Sequence, residues 1–285
     1  MDRTGIRGRH YGELLMTGIA AGLMCFGIPV ATAATAPYGA SVYVEAGSSS
    51  NSDGGWGAYS AGVSLDTLYG KGSGTAGFYG ASPAVSATAD SAGFIPGYAR
   101  AIAGINDQLV FSGSGNDWYS DVTLHISGNW SISLTPGVDN HGSAPWVRFS
   151  LGLTRQGTPL NTYDSWRSLV SGSVQSSQTY LDTVVTGAWS EIPDSNASFA
   201  SGTYSFAFTT RVYDGWNYNL GLAVIAEAPS GASAYIDDPL VVQVPPGMVF
   251  TAASLNKYTV PLPPAFIFLA SGVLGIAGMR PRSDA

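Results

Sequence analysis

Side chains that could carry catalysis are scarce in this sequence of 285 residues. After residue 33 it has only two histidines, His125 and His141, and their spacing suits no metal site. The same region has three glutamates, Glu45, Glu191 and Glu227, and nothing in the sequence pairs two of them as a glycosidase requires. The Gly-x-Ser-x-Gly elbow of serine hydrolases does not occur. We therefore predict a non-catalytic protein without a cofactor, and we assign no metal site, although the sequence leaves calcium binding open. A secreted hydrolase is the alternative if the fold brings two carboxylates about 5 to 10 Å apart in a groove.

Aromatic side chains beside turn residues are the second group with chemical potential. They lie in residues 116–119 and 213–218, next to Asp, Asn and Gly. Rings on loops at one end of a sandwich can stack on a sugar while neighbouring polar groups hydrogen-bond to it. The same rings could instead fold back and cap the core, and we favour this interpretation. The candidates for carbohydrate binding are Trp118, Tyr119, Tyr213, Trp216 and Tyr218.

The end of the chain has three distinct parts. Val260-Pro261-Leu262-Pro263 precedes an apolar stretch at 265–279, which is followed by Arg280 and Arg282. Because proline interrupts a regular helix, we expect the helix to begin after the proline cluster. The apolar stretch is about 15 residues long, near the lower limit for crossing a bilayer, and the two arginines favour a cytoplasmic C-terminus.

This three-part pattern resembles the PEP-CTERM sorting signal of Gram-negative bacteria, in its Val-Pro-Leu-Pro variant. The resemblance implies that an exosortase, a membrane-embedded cysteine protease, cuts near the proline motif and passes the protein to the cell exterior. Val260, Pro261, Leu262 and Pro263 would then form the recognition segment, and Arg280 and Arg282 would be the retention charges. Leu262 stands where the commonest form of the signal has glutamate. The alternative is an ordinary C-terminal tail anchor.

The resemblance also implies a location and a role. The protein would be held in the inner membrane by its C-terminal helix, with a periplasmic ectodomain, until it is cut. It would then reach the cell surface or the extracellular matrix, with a structural or adhesive role in extracellular polysaccharide or biofilm.

The N-terminus has the pattern of a secretory signal peptide. Three arginines, Arg3, Arg7 and Arg9, precede an apolar run at 14–30 and the small residues 31–34. We predict that residues 1–33 are removed by signal peptidase, with cleavage after Ala33 or Ala34. The only cysteine of the chain, Cys25, lies inside this segment, so an exported product would depend on its core and not on disulfides.

The net charge of the chain argues against nucleic acid as a partner. The chain has a formal net charge of −7 at pH 7. An acidic surface repels the phosphates of nucleic acids. We therefore predict no nucleic-acid partner.

The segment between the two terminal signals is typical of an all-β protein. Residues 120–134 alternate apolar and polar side chains, the period of a half-buried strand, and Gly128-Asn129 within them is either a bulge or a tight hairpin. Further strands are predicted at 146–153, 179–185, 203–212, 220–226, 233–244 and 248–253, separated by turn residues. We predict an antiparallel β-sandwich with its core in 105–254 and a linker at 255–259. The Gly/Ala/Ser-rich segment 34–104 is expected to supply edge strands, and alternation places Trp130 and Trp146 in the core.

Overall fold

The computed structural model describes residues 38–79, 82–92, 97–113, 118–136, 144–158, 161–169, 174–177, 183–192 and 198–254. Within these ranges the chain forms fifteen β-strands and no helix, which confirms the prediction of an all-β fold. The strands are β1 (Gly39–Ala46), β2 (Ser49–Trp56), β3 (Ser60–Thr67), β4 (Gly70–Tyr79), β5 (Ser82–Asp90), β6 (Tyr98–Ser112), β7 (Tyr119–Leu134), β8 (Trp146–Arg155), β9 (Thr162–Ser168), β10 (Val174–Ser177), β11 (Thr183–Ile192), β12 (Phe199–Tyr213), β13 (Asn217–Pro229), β14 (Ala232–Gln243) and β15 (Val249–Ala252).

The strands form two antiparallel sheets. Sheet A has the order β10-β9-β8-β13-β6-β1-β2, and sheet B has the order β11-β12-β7-β14-β5-β4-β3. The long strand β6 pairs with β13 along one edge, and with β1 and then β15 along the other. Both sheets contribute to one hydrophobic cluster. The two sheets therefore pack face to face, the arrangement of a β-sandwich.

Alternation along the strands explains the core. In β7, Val122, Leu124 and Ile126 are fully buried, whereas Thr123 and His125 between them are partly exposed. Successive side chains of a strand point to opposite faces, so one face of β7 lines the core and the other is polar. Each large apolar side chain buried in this way contributes roughly 1.5 to 3 kcal/mol.

Residues 34–104 do more than supply edge strands. Among the strands described in this segment, only β2 and β3 lie at sheet edges, whereas β1, β4, β5 and β6 lie inside the sheets. Small residues can occupy inner strands here because the facing strands approach closely. A Cβ atom on Gly72 would lie 2.4 Å from the Cγ1 atom of Val44 across the core, and one on Gly74 would lie 2.7 Å from Cγ1 of Val42.

A second expectation, that Trp146 lies in the core, is wrong. Trp130 is buried as predicted, with 1% of its surface exposed, but Trp146 is half-buried on the outer face of sheet A. Its neighbours Val147, Phe149 and Leu151 take the core-facing positions of β8.

The predicted terminal signals fall outside the described residues. This applies to the signal peptide at 1–33, the linker at 255–259, and the sorting signal at 260–285 with its apolar stretch at 265–279. In the part of the chain that the structure describes, no helix is long and apolar enough to span a bilayer.

Candidate functional site

Two loops at one end of the sandwich bring most of the predicted aromatic residues together. Tyr119 and Tyr213 are register partners where β7 and β12 meet this end. Their ring centroids are 6.2 Å apart, and the Tyr213 and Trp216 centroids are 5.7 Å apart. The backbone N–H of Asp214 donates to the carbonyl of Trp118 at 3.2 Å, which joins the two loops. We call Trp118, Tyr119, Tyr213 and Trp216 the aromatic end cluster.

The turn that carries Trp216 is fixed to the rest of the fold. Asp214 Oδ1 accepts a hydrogen bond from the backbone N–H of Gly113 at 3.1 Å. The N–H of Gly215 donates to the carbonyl of Phe111 at 2.9 Å. Gly215 has φ of 72°, a conformation that side-chain-bearing residues rarely adopt, which permits the tight turn between β12 and β13. The turn between β12 and β13 is therefore held in place by hydrogen bonds.

Tyr218 has a different position from the other four candidates. It is only 3% exposed and packs edge-on against Phe111, with ring centroids 5.6 Å apart. Its hydroxyl accepts a hydrogen bond from the backbone N–H of Tyr213 at 2.7 Å, and burial raises its pKa. Tyr218 thus positions Tyr213 from below and does not belong to the accessible surface.

Arginine side chains already occupy part of the cluster. The guanidinium carbon of Arg155 lies 3.3 Å from the centre of the Trp216 ring, and that of Arg211 lies 4.1 Å from the centre of Tyr119. Each contact is a cation–π interaction that covers one ring face. A sugar could stack on Trp216 only on its other face or by displacing Arg155.

Trp118 is the most accessible ring. Its exposed fraction is 86%, against 41% for Trp216 and 43% for Tyr119. A tryptophan so exposed contributes little to folding and is available to a ligand. The expectation that these rings cap the core fits Tyr218 and does not fit Trp118.

A charged row on the outer face of sheet A was missed by sequence reasoning. Glu45, Arg100 and Glu227 are aligned across β1, β6 and β13. Arg100 Nε lies 3.7 Å from Glu227 Oε2, and burial raises the pKa of Glu227 although Arg100 lowers it. The polar phase of β1 and of β6 places Glu45 and Arg100 on this face, which is the signal that alternation offered.

This row bears on the hydrolase alternative. Glu45 and Glu227 are separated by one strand, so their backbones lie about 10 Å apart. Arg100 stands between them, with its side chain 15% exposed, and pairs with Glu227. The arrangement is an ion-pair row in which arginine occupies the gap that a sugar and a water molecule would need.

The remaining candidates are metal ligands and the residues of the sorting signal. Among the described residues, no group of three or more His, Cys, Asp or Glu side chains could hold a metal ion. Val260, Pro261, Leu262, Pro263, Arg280 and Arg282 lie outside these residues. No known protein-family model matches the chain, and no curated protein is significantly similar to it in sequence.

Proposed function

We propose that this chain is an exported, non-catalytic surface or matrix protein with a structural or adhesive role in extracellular polysaccharide or biofilm. It is anchored by its C-terminal segment and processed by an exosortase-like enzyme. The single observation that carries this proposal is the C-terminal order of proline motif, apolar stretch and arginines at 260–282. A secretory signal pattern at the opposite end supports the same route.

The end of the fold lies close to the proposed cleavage site. Ser254 is the last described residue, and its backbone N–H and hydroxyl donate to the buried Asp107 at 3.1 and 2.5 Å. Six residues further along the chain is Val260. A fully extended chain spans at most about 3.5 Å per residue, so the motif lies within about 20 Å of this attachment. An anchored ectodomain would therefore be held close to the membrane, where a membrane protease acts.

Both ends of the described chain leave the fold at the same place. β1 begins with Gly39 opposite Asn106, and β15 ends with Ala252 opposite Leu109, on the same edge of β6. The two ends of the described chain, at residues 38 and 254, therefore lie near each other along this edge of β6.

The proposal is tested in the native host by replacing the prolines of the motif. Pro261→Ala with Pro263→Ala should keep the protein in the membrane fraction, because the recognition segment is lost. The control is Pro246→Ala, in the exposed turn between β14 and β15, which should be released like the wild type. Equal release of both variants would contradict processing at the motif, and permanent membrane retention of the wild type would indicate a tail anchor.

A carbohydrate-binding module is the second candidate function. The observation that favours it is the 86% exposure of Trp118 beside the rings of Tyr119, Tyr213 and Trp216. Trp118→Ala should weaken retention in gels containing the host's own polysaccharide by roughly 3- to 10-fold, the value of one stacked ring. Trp56→Ala is the matched control, because Trp56 is 56% exposed and lies on β2 outside the aromatic end cluster. Equal losses in both variants would exclude the cluster as the binding site.

A further inference from the structure

Asp238 and Pro239 form the only Asp–Pro bond of the chain. Such a bond is chemically special because the aspartate side chain can attack its own backbone carbonyl carbon through a five-membered ring. The leaving nitrogen belongs to a tertiary amide, which is more basic than the nitrogen of an ordinary peptide bond. The neutral carboxylic acid is the reactive form, since its proton is needed on the departing nitrogen. In this protein the bond lies inside β14, a central strand of sheet B.

Hydrogen bonding between β14 and β7 is interrupted at this bond. The ladder pairs Ile236 with Trp130 and resumes at Leu240 with Ile126, so residues 237–239 have no register partner on β7. Pro239 has no N–H to donate, which explains the gap. The facing residue is Gly128, where a Cβ atom would lie 1.9 Å from the carbonyl oxygen of Asp237.

Neighbouring groups compensate for the gap without using Asp238. Asp237 Oδ1 accepts from the backbone N–H of Asn129 at 2.6 Å, and Tyr235 donates its hydroxyl proton to Asp237 Oδ2 at 2.7 Å. The Tyr204 hydroxyl donates to the carbonyl of Asp237 at 2.5 Å. The backbone before the Asp–Pro bond is thereby held firmly in place.

The carboxyl of Asp238 is buried without a hydrogen-bond partner. It is 1% exposed, and neither of its oxygens has a hydrogen bond of acceptable geometry. Asp107, at 2% exposure, shows the usual solution, because its carboxylate accepts bonds from Ser254 and from the N–H of Gln108. An ionised carboxylate is very costly to bury unpaired, so Asp238 is expected to be a neutral acid.

Electrostatics agrees with this geometry. Burial raises the pKa of Asp238 well above its ordinary value, and the charge of Asp237 raises it further. The nearby Tyr204 hydroxyl and the Ser127 backbone N–H lower this pKa, but burial has the larger effect. An unfolded aspartate with a pKa of about 3.9 is neutral in only about one molecule in a thousand at pH 7.

We propose that the Asp238–Pro239 bond is a self-cleaving site of the folded protein. A side-chain oxygen of Asp238 attacks its own backbone carbonyl carbon, and the carbon–nitrogen bond to Pro239 breaks. The carboxyl proton passes to the proline nitrogen, which becomes a new amino terminus. Asp238 is left as a cyclic anhydride, which one water molecule hydrolyses to two carboxyl groups.

Cleavage would leave a nicked but assembled domain. The piece that begins at Pro239 retains its pairing of 240–243 with β7 and of 249–252 with β6. The C-terminal anchor would then be attached to the ectodomain by hydrogen bonds and packing alone. This inference concerns the ectodomain and holds whether or not the C-terminus is sorted.

The test compares the folded and unfolded full chain at the same pH. Protein purified in detergent is incubated at pH 6, with and without concentrated urea, and fragments are followed by denaturing gels and intact mass. We expect cleavage after Asp238 at least 10-fold faster in the folded chain. Hydroxylamine, added as a probe, should trap the anhydride as a hydroxamate on Asp238.

Two variants test which groups take part in the cleavage. Asp238→Asn removes the carboxylic acid, and Pro239→Ala replaces the leaving group, so each should slow fragmentation at least 10-fold. A folded wild-type chain that stays intact, or that is cut no faster than the chain in urea, would overturn the proposal. Cleavage that persists unchanged in Asp238→Asn would also overturn it, since the cut would then come from another source.

Discussion

The core of the sandwich is filled in two different ways. Between β1 and β6 of sheet A and β4 and β5 of sheet B, the inward side chains are mostly glycine, alanine and valine, and we call this the small-residue half. Between β8 and β9 of sheet A and β7, β11 and β12 of sheet B, the space is filled by rings, and we call this the aromatic half. Its members include Trp130, Phe149, Tyr163, Trp189, Tyr204 and Phe206.

Opposite kinds of substitution should destabilise the two halves of the core. In the small-residue half, the backbone of β4 lies against valine side chains of β1, so there is no room for larger residues. In the aromatic half, Phe149 stacks on Tyr204 with centroids 5.3 Å apart and an interplanar angle of 10°, and it also contacts Phe206 at 5.0 Å. Removing a ring there leaves a cavity. Enlargement is therefore the threat to one half and truncation the threat to the other.

Truncation in the aromatic half should have the largest effect. Phe149→Ala should lower the free energy of unfolding by about 3 to 5 kcal/mol, because transfer and cavity terms add. Phe149→Leu keeps most of the volume and should cost about 1.5 kcal/mol or less. Chemical denaturation of both variants measures the difference. Equal losses would show that ring volume is not what supports this half.

Enlargement in the small-residue half is the reciprocal experiment. Gly72→Val should cost about 1 to 3 kcal/mol, since its Cβ would clash with Val44. Gly62→Val is the matched control on β3, where the nearest atom to a new Cβ is 3.8 Å away. The control should be neutral or slightly stabilising, because valine suits a strand better than glycine. A tolerated Gly72→Val would mean that the sheets can separate, and the contrast between the halves would disappear.

Asp238 lies on β14, the strand between the two halves, and makes stability depend on pH. A carboxyl whose pKa is raised by folding binds its proton more tightly in the native state than in the unfolded state. Its contribution to stability is therefore complete below the unfolded pKa and is lost as pH rises toward the folded pKa, by about 1.4 kcal/mol per pH unit. Asp238→Asn should remove this pH dependence. Compared with the wild type, the variant should therefore gain more stability at pH 7 than at pH 4. Parallel pH profiles for variant and wild type would contradict the neutral buried acid.

The smallest effect is expected outside both halves. Trp118→Ala should change the free energy of unfolding by no more than about 0.5 kcal/mol, because its ring is exposed. Trp130→Ala, in the aromatic half, should cost several times more. A large loss in Trp118→Ala would show that the aromatic end cluster is part of the core and not a presented surface.

The alternating strands of residues 105–254 were predicted better than the strands of residues 34–104. β7 and β14 were predicted close to their observed bounds because apolar residues recur at nearly every second position, with Gly128 in β7 and Asp238 in β14 as the exceptions. β2 was missed because Ser49–Trp56 is almost entirely polar or glycine and is exposed on both faces. β9 and β10 were missed as well. The predicted strand at 179–185 overlaps β11, which begins at Thr183, and residues 179–182 lie outside the described ranges.

Site geometry was harder to predict because it depends on partners from distant strands. The clustering of Tyr119 with Tyr213 follows from the pairing of β7 with β12, and the covering of Trp216 by Arg155 follows from the position of β8. Neither pairing can be derived from local pattern. The burial of Tyr218 could have been anticipated, because it shares the phase of Leu220 and Leu222 along β13.

The fate of the C-terminus tests the proposed export and sorting most directly. The measurement is the mass of the mature protein from its native host, determined separately for the membrane and released fractions. We expect a released form that ends near Val260 to Pro264. A protein found only in the membrane with Arg282 to Ala285 still present would contradict it.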